Sequence, residues 1–180
     1  MTDGIEGGAD GAADHARVLV VMGVSGVGKT TVAQALARRL RAVFADGDDF
    51  HPPGNVAKMV AGTPLTDADR KPWLDAIAAW IDARRASGER GVVACSALRR
   101  GYRDILIGGR ADVGLVFLQG PKDLIADRIG GRRDHFMPPG LLDSQLATLE
   151  PPHDDERPIV VDAGEPPERI VDAVLARIGG

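Results

Sequence analysis

The 180-residue chain predicts an α/β fold with a mainly parallel five-stranded sheet and helices on both faces. Three observations predict it. Short uninterrupted apolar runs recur along the chain, as strands buried on both faces require. Between them lie stretches with apolar residues three and four apart, the period of helices that cover a sheet. The first apolar run also ends in G-V-S-G-V-G-K-T at residues 23–30, a glycine-rich turn of the kind that joins a strand to a helix around a phosphate.

The elements follow in order. Residues 1–16 are rich in Gly and Asp and nearly free of large apolar side chains, so they are read as a disordered tail ahead of one domain over 17–180. Residues 18–22 form the first strand. The helix after the glycine-rich turn buries Val32, Leu36 and Leu40, with Ala33 and Ala37 beside them and Arg38, Arg39 and Arg41 toward solvent. A short strand at 42–45 leads into Asp46-Gly47-Asp48. Thr66 is expected to cap a short helical turn, and Pro72 to open a separate helix whose buried stripe is Trp73, Ile77 and either Trp80 or Ile81; Gly88 stops it. Further strands are expected at 91–96, 113–118 and 159–162, and helices at 100–106, 121–129, 141–149 and 167–178. In such a sheet, ligands sit at the carboxyl ends of the strands, where residues 23–30, 46–48 and 96–100 converge.

Composition narrows the function classes. An apolar fraction of 44%, a charged fraction of 27% and a net charge of −4 describe a globular chain without a dedicated nucleic-acid surface. Cys95 is the only cysteine, which excludes an intrachain disulfide and a cysteine-based zinc site; two valines precede it, marking a buried structural thiol. No apolar run approaches 18 residues and no charged-then-apolar leader opens the chain, so no membrane association and a cytoplasmic location are expected.

The glycine-rich turn carries the chemistry. With 23 Gly in 180 residues, composition alone gives only about 0.003 accidental matches to this motif. Backbone N–H groups of Gly23, Val24, Ser25, Gly26, Val27 and Gly28 can close around phosphates, Lys29 reaches the β and γ phosphates, the Thr30 hydroxyl reaches magnesium, and Thr31 continues into the helix. The expected ligands are ATP and Mg²⁺. A guanine-reading Asn-Lys-x-Asp motif is absent from the sequence.

The segment L-I-A-D-R-I-G-G-R-R at 124–133 resembles the entry to the mobile lid of adenylate-kinase-like enzymes, with the lid expected at about 128–140. Arg128 and Arg132, four apart, can place one guanidinium on adenine and the other on the transferring phosphoryl group, with Gly130 and Gly131 as a hinge. A solvated basic helix face is the competing reading. Late in the chain, the turn ending in Glu165-Pro166 borders the adenine in similar kinases, Pro166 being the candidate contact; an ordinary strand-to-helix connection is the alternative.

Four longer segments carry a more specific resemblance: D-G-D-D-F-H-P at 46–52, N-V-A-K-M-V-A-G-T-P-L-T-D-A-D-R-K-P-W-L at 55–74, A-C-S-A-L-R-R-G-Y-R-D at 94–104, and H-F-M-P-P-G-L-L-D-S-Q-L-A-T-L-E at 135–150. In this order they resemble the gluconokinase family, small P-loop kinases that phosphorylate D-gluconate with ATP. The resemblance implies a core like that of shikimate and adenylate kinases, Mg-ATP as donor, 6-phosphogluconate as product and a homodimer. By similarity to the Asp-x-Asp pair of related kinases, Asp46 is assigned to magnesium through water and Asp48 to orienting or deprotonating the acceptor hydroxyl.

Gluconate offers a carboxylate and a row of hydroxyls, so its site needs cations and hydrogen-bonding groups. His51 either bonds a hydroxyl or shapes a proline-flanked loop. Lys58, Arg70, Arg99, Arg100 and Arg103 are the cations of these segments, with Arg70 and Arg99 the first choices for the carboxylate, since a guanidinium can grip it through two bonds. Trp73 and Trp80 read as core, Trp73 being nearer the site, and His135 is a candidate for closing over substrate or phosphate. Two other readings stay open: a kinase of the same fold for another small acid such as shikimate, and a nucleotide-dependent switch or regulatory ATPase.

Overall fold

The computed structural model of the chain describes residues 16–131 and 140–179. Its elements run β1 (Val18–Met22), α1 (Lys29–Leu40), β2 (Val43–Asp46), a 3₁₀ turn (Gly47–Phe50), α2 (Pro53–Val60), α3 (Asp67–Ser87), β3 (Gly91–Ala94), α4 (Arg100–Ile107), β4 (Val113–Gln119), α5 (Lys122–Gly130), α6 (Leu141–Thr148), a second 3₁₀ turn (Asp154–Glu156), β5 (Ile159–Asp162) and α7 (Pro167–Ile178). The strands form one parallel sheet in the order β2-β3-β1-β4-β5. The expected fold class is therefore observed. Because every pairing is parallel, all five strands deliver their carboxyl ends to one rim.

Alternation along the strands divides the core into two layers. Leu19, Val21, Val92, Val116 and Leu118 pack toward α1 and α7 through Leu36, Ile170 and Val174. Val18, Val20, Met22, Val93, Leu115 and Phe117 pack on the other face with α3 and α4, through Trp73, Leu74, Ile77, Ile81 and Leu106. All five residues of β1 are buried, so the phosphate-binding turn that follows it is anchored in the most protected part of the molecule.

Three expectations need correction. The region of Thr66 and Pro72 is one helix, α3, with Pro72 inside it. A reciprocal cap starts it early: Thr66 Oγ1 accepts from the Asp69 N–H at 3.2 Å and the Asp69 carboxylate accepts from the Thr66 N–H at 2.9 Å. Burial of Trp73, Leu74, Ile77 and Ile81 then carries the helix past the missing proline N–H. Ile81 fills the stripe, while Trp80 is only partly buried. Helix α2 was not expected at all, since only Asn55 of its eight residues is buried and it shows no inward apolar stripe. Finally, β3 ends at Ala94, two residues short of the expected end. Ala97 adopts φ +44° there and turns the chain, although the Cys95 N–H still donates to the Val21 carbonyl at 3.0 Å. Cys95 is buried as expected, which pushes its thiol up to about 12.

Candidate active site

The glycine-rich turn takes the backbone shape its sequence prescribes. Gly23, Gly26 and Gly28 have φ of +147°, +81° and +104°. A Cβ on Gly23 would lie 2.7 Å from the Leu118 carbonyl oxygen, and one on Gly26 2.5 Å from Ile129 Cγ1, so neighbouring elements approach the loop too closely for any other residue. Helix α1 then begins without a side-chain cap and without an acidic residue in its first turn. Its first N–H groups and its positive end are left for an anion. Lys29 Nζ donates to the Val24 carbonyl at 3.0 Å across the loop.

At the end of β2, Asp46 Oδ1 accepts from the Asp48 N–H at 3.0 Å and caps the 3₁₀ turn, while Asp46 Oδ2 lies 3.5 Å from Thr30 Oγ1. The two proposed metal residues thus face each other as hard oxygen donors. No cluster of three or more His, Cys, Asp or Glu suited to a metal exists among the described residues. One hydroxyl and one carboxylate suit magnesium, which keeps waters and takes its remaining ligands from phosphates.

Asp48 opens toward solvent, yet the surrounding protein makes burial the largest influence on it; with the Asp46 charge it raises the Asp48 carboxyl above the ordinary value, against the opposing pull of Lys29. His51 stacks on Trp73 with ring centroids 4.3 Å apart and planes 12° from parallel. Burial first, and Arg70 as well, lower the His51 pKa despite Asp48. Trp73 is itself buried and fixed by its indole N–H donating to the Gly47 carbonyl at 2.7 Å. It is therefore core on one side and support for the site on the other. The buried Asn55 amide donates to the Asp69 carbonyl at 2.8 Å and lies 3.4 Å from His51 Nδ1, tying α2, α3 and the histidine together.

The candidate cations fall into three settings. Arg70 and Arg99 approach the Tyr102 ring at 5.8 and 5.9 Å and converge on the Asp67 carboxylate, Arg99 at 3.2 Å and Arg70 at 3.9 Å; the Tyr102 hydroxyl donates to the same carboxylate at 2.6 Å. The tyrosine bond first, then Arg99 and Arg70, hold Asp67 below the usual carboxylate range. A carboxylate thus already sits between these guanidinium groups. Lys58 belongs to the cap of α3, where it bonds both Asp69 oxygens at 2.7 and 2.8 Å and holds that carboxyl down to about 2.

Arg100 and Arg103 are the corrections. Both face a cavity of about 390 Å³ that reaches the amino ends of β4 and β5. There Arg100 is paired with Asp104 and Asp155 at 2.9 Å, and the buried Arg103 with Glu156 at 2.5 and 3.0 Å. They are structural. Removing one partner of a buried pair strands the other charge. Arg103→Ala is therefore expected to cost about 3 to 5 kcal/mol of stability, read as a lower midpoint in chemical denaturation. An unchanged midpoint would contradict this role.

On the nucleotide side, Arg128 bridges the loop to the turn after β5, donating to the Val27 carbonyl at 3.2 Å and the Ala163 carbonyl at 2.6 Å. A cavity of about 290 Å³ opens beside it, lined by residues of the loop, Thr31, Val32, Glu165, Pro167 and Ile170. Pro167 lines it, and the preceding Pro166 caps α7, its carbonyl accepting from the Arg169 and Ile170 N–H groups. Arg132 and His135, and most of the expected lid, lie outside the described residues.

Asn55, Asp67, Tyr102 and Gln145 were not singled out from the sequence. Asn55 sat in a segment without helical signal. Gln145, three residues after the buried Leu142 on α6, shares its inward face, a spacing legible in the sequence. Its amide bonds Ser25 of the phosphate loop twice, at 2.6 and 2.9 Å.

Comparison with known proteins places the chain among relatives of one family. A family model described as an AAA domain matches residues 18–152. The chain is 48% identical to a gluconokinase of Gluconobacter oxydans over 88% of this chain and 89% of that protein, and 40% identical to the thermoresistant gluconokinase of Escherichia coli over 90% and 93%. The crystal structure of a gluconokinase from Sinorhizobium meliloti superposes with a TM-score of 0.79 at 46% identity, covering 90% of this chain and 91% of that one.

Proposed function

The chain belongs to the gluconokinase family, and from that membership we propose that it transfers the γ-phosphoryl group of ATP to the 6-hydroxyl of D-gluconate, giving 6-phospho-D-gluconate and ADP. One observation carries the reading: at the rim of the sheet, Asp46 both accepts from the Asp48 N–H at 3.0 Å and lies 3.5 Å from Thr30 Oγ1 beside the phosphate loop. That arrangement supports reading Asp48 as the acceptor-side base next to the donor-side loop.

The residue roles follow from chemistry. Phosphoryl transfer asks for alignment and charge neutralisation more than covalent catalysis. The loop of residues 23–28, whose Ser25 N–H is taken by Gln145 and Gly23 N–H by the Ser96 carbonyl, encloses the phosphates, which its remaining amides, the start of α1 and Lys29 hold. Thr31 and Arg128 border the adenine cavity, and Asp48 accepts the proton of the 6-hydroxyl as that oxygen attacks phosphorus in line and ADP departs. Thr30 and Asp46 would hold Mg²⁺, which supplies charge neutralisation on the phosphates. His51, stacked on Trp73, offers a ring nitrogen to a gluconate hydroxyl. Arg70 and Arg99 receive the gluconate carboxylate in place of Asp67. Arg132, which neutralises the transferring group, and His135 complete the proposal from the lid segment, and Lys58 supports the acceptor side through the α3 cap. A homodimer acting in the cytoplasm belongs to the same reading. No helix among the described residues is long and apolar enough to cross a membrane.

A charge-assisted bond is worth about 1.5 to 3 kcal/mol. Arg70→Ala is accordingly expected to raise the KM for gluconate about tenfold to a hundredfold and to spare the KM for ATP. A loss confined to the ATP side would remove Arg70 from the acceptor site. The reading as a whole is tested by ADP release across D-gluconate, other aldonates and shikimate. Release that depends on D-gluconate is expected; equal release without any acceptor would indicate a regulatory ATPase, and release with shikimate alone a different kinase.

A further inference from the structure

Helix α6 reaches the phosphate loop through one side chain, and the polarity of that contact is determined. Gln145 Oε1 lies 2.6 Å from the Ser25 backbone nitrogen and Gln145 Nε2 lies 2.9 Å from Ser25 Oγ. A backbone N–H only donates, so it must face the amide oxygen, and the amide cannot be turned over without setting two donors against each other. The amide N–H therefore donates to Ser25 Oγ. With Oγ accepting, the hydroxyl hydrogen is directed elsewhere.

The peptide unit joining Val24 to Ser25 is held from both sides. Its carbonyl accepts from Lys29 Nζ at 3.0 Å, and its N–H donates to Gln145. Lysine in this motif serves the β and γ phosphates, so the unit gripped by Gln145 lies at the terminal-phosphate end of the loop. The helix that carries the glutamine is itself fixed. Leu142 is buried in the core at its start, and after its end the Glu150 N–H donates to the Leu98 carbonyl at 2.8 Å.

We infer that Gln145 is a positioning residue for the terminal phosphate: through two hydrogen bonds it sets the orientation of the Val24–Ser25 peptide beside Lys29 and turns the Ser25 hydroxyl outward as a donor to the γ-phosphoryl group. The inference rests on the phosphoryl-transfer reading of the loop and not on the identity of the acceptor. A glutamate here keeps the bond to the Ser25 N–H, but it has no hydrogen to give Oγ. It draws the hydroxyl hydrogen toward itself and adds a negative charge near the γ phosphate.

The test is calorimetric binding of ADP and of a non-hydrolysable ATP analogue, both with Mg²⁺, to the wild type, Gln145→Ala and Gln145→Glu. Q145A is expected to weaken the triphosphate analogue about threefold to tenfold, the range of one or two net hydrogen bonds, and ADP by less than about twofold. Q145E is expected to weaken the analogue further than Q145A. Equal losses for both nucleotides, or unaltered binding in both variants, would overturn the inference. In turnover, Q145A is expected to lower kcat while leaving the gluconate KM within about twofold; a raised gluconate KM with unchanged nucleotide binding would place Gln145 on the acceptor side and overturn it as well. Because the binding measurements contain no gluconate, they stand even if the wild type fails to use that acceptor.

Discussion

Lys29→Ala is expected to lower turnover at least about a hundredfold, on the order of 3 kcal/mol of transition-state stabilisation, while the fold stays intact. Lys29 stands at the start of α1, partly exposed at the rim, so its loss leaves neither a buried cavity nor a disrupted strand. What disappears is positive charge where the phosphates gather. Preorganised charge of this kind acts mainly on the transition state, so kcat should fall further than nucleotide affinity. Steady-state kinetics beside a thermal unfolding curve check both halves. Near-normal turnover in the folded variant would remove Lys29 from the phosphate site.

Asp48→Asn is expected to lower kcat by about a hundredfold to ten-thousandfold, the range of a general base, with a much smaller effect on ATP binding. The substitution keeps the shape of the side chain. It leaves untouched the backbone N–H that Asp46 accepts and relieves the repulsion between the two carboxylates. The fold should therefore be at least as stable. The pH dependence has a defined sign. Burial and Asp46 raise the Asp48 pKa, and the base works only when ionised, so acidification should switch off kcat at a higher pH than an ordinary aspartate would. In Asp48→Asn that acid limb should vanish from what activity remains. A retained limb would assign it to another group, and equal losses of turnover and nucleotide affinity would move Asp48 into the metal role.

Much of this was legible in the sequence because it is local. β1, β5 and α7 match their expected bounds, since an apolar run or a helical stripe bounded by Gly or Pro carries its own punctuation. The phosphate loop was equally legible, its glycines occupying positive φ as the motif requires. What escaped depends on distant partners. Arg103 reads as a substrate cation until Glu156, 53 residues away, is folded against it. The grouping of Arg70, Arg99 and Tyr102 around Asp67 spans two helices and forms only when α3 packs against α4. α2 was missed because its apolar Val56, Met59 and Val60 remain exposed and give no inward stripe. Pro72 misled because a proline marks a helix start more often than an interior, and here the cap at Thr66 and the buried stripe beyond outweighed it.

The most direct measurement is phosphorus NMR of a reaction containing the protein, Mg²⁺, ATP and D-gluconate, with the organic product isolated and its phosphorylated carbon identified. Phosphoryl transfer from the loop to an acceptor aligned by Asp48 predicts one equivalent of gluconate phosphorylated at the 6-position for each ADP formed. ADP accompanied only by inorganic phosphate, with gluconate recovered unchanged, would contradict it.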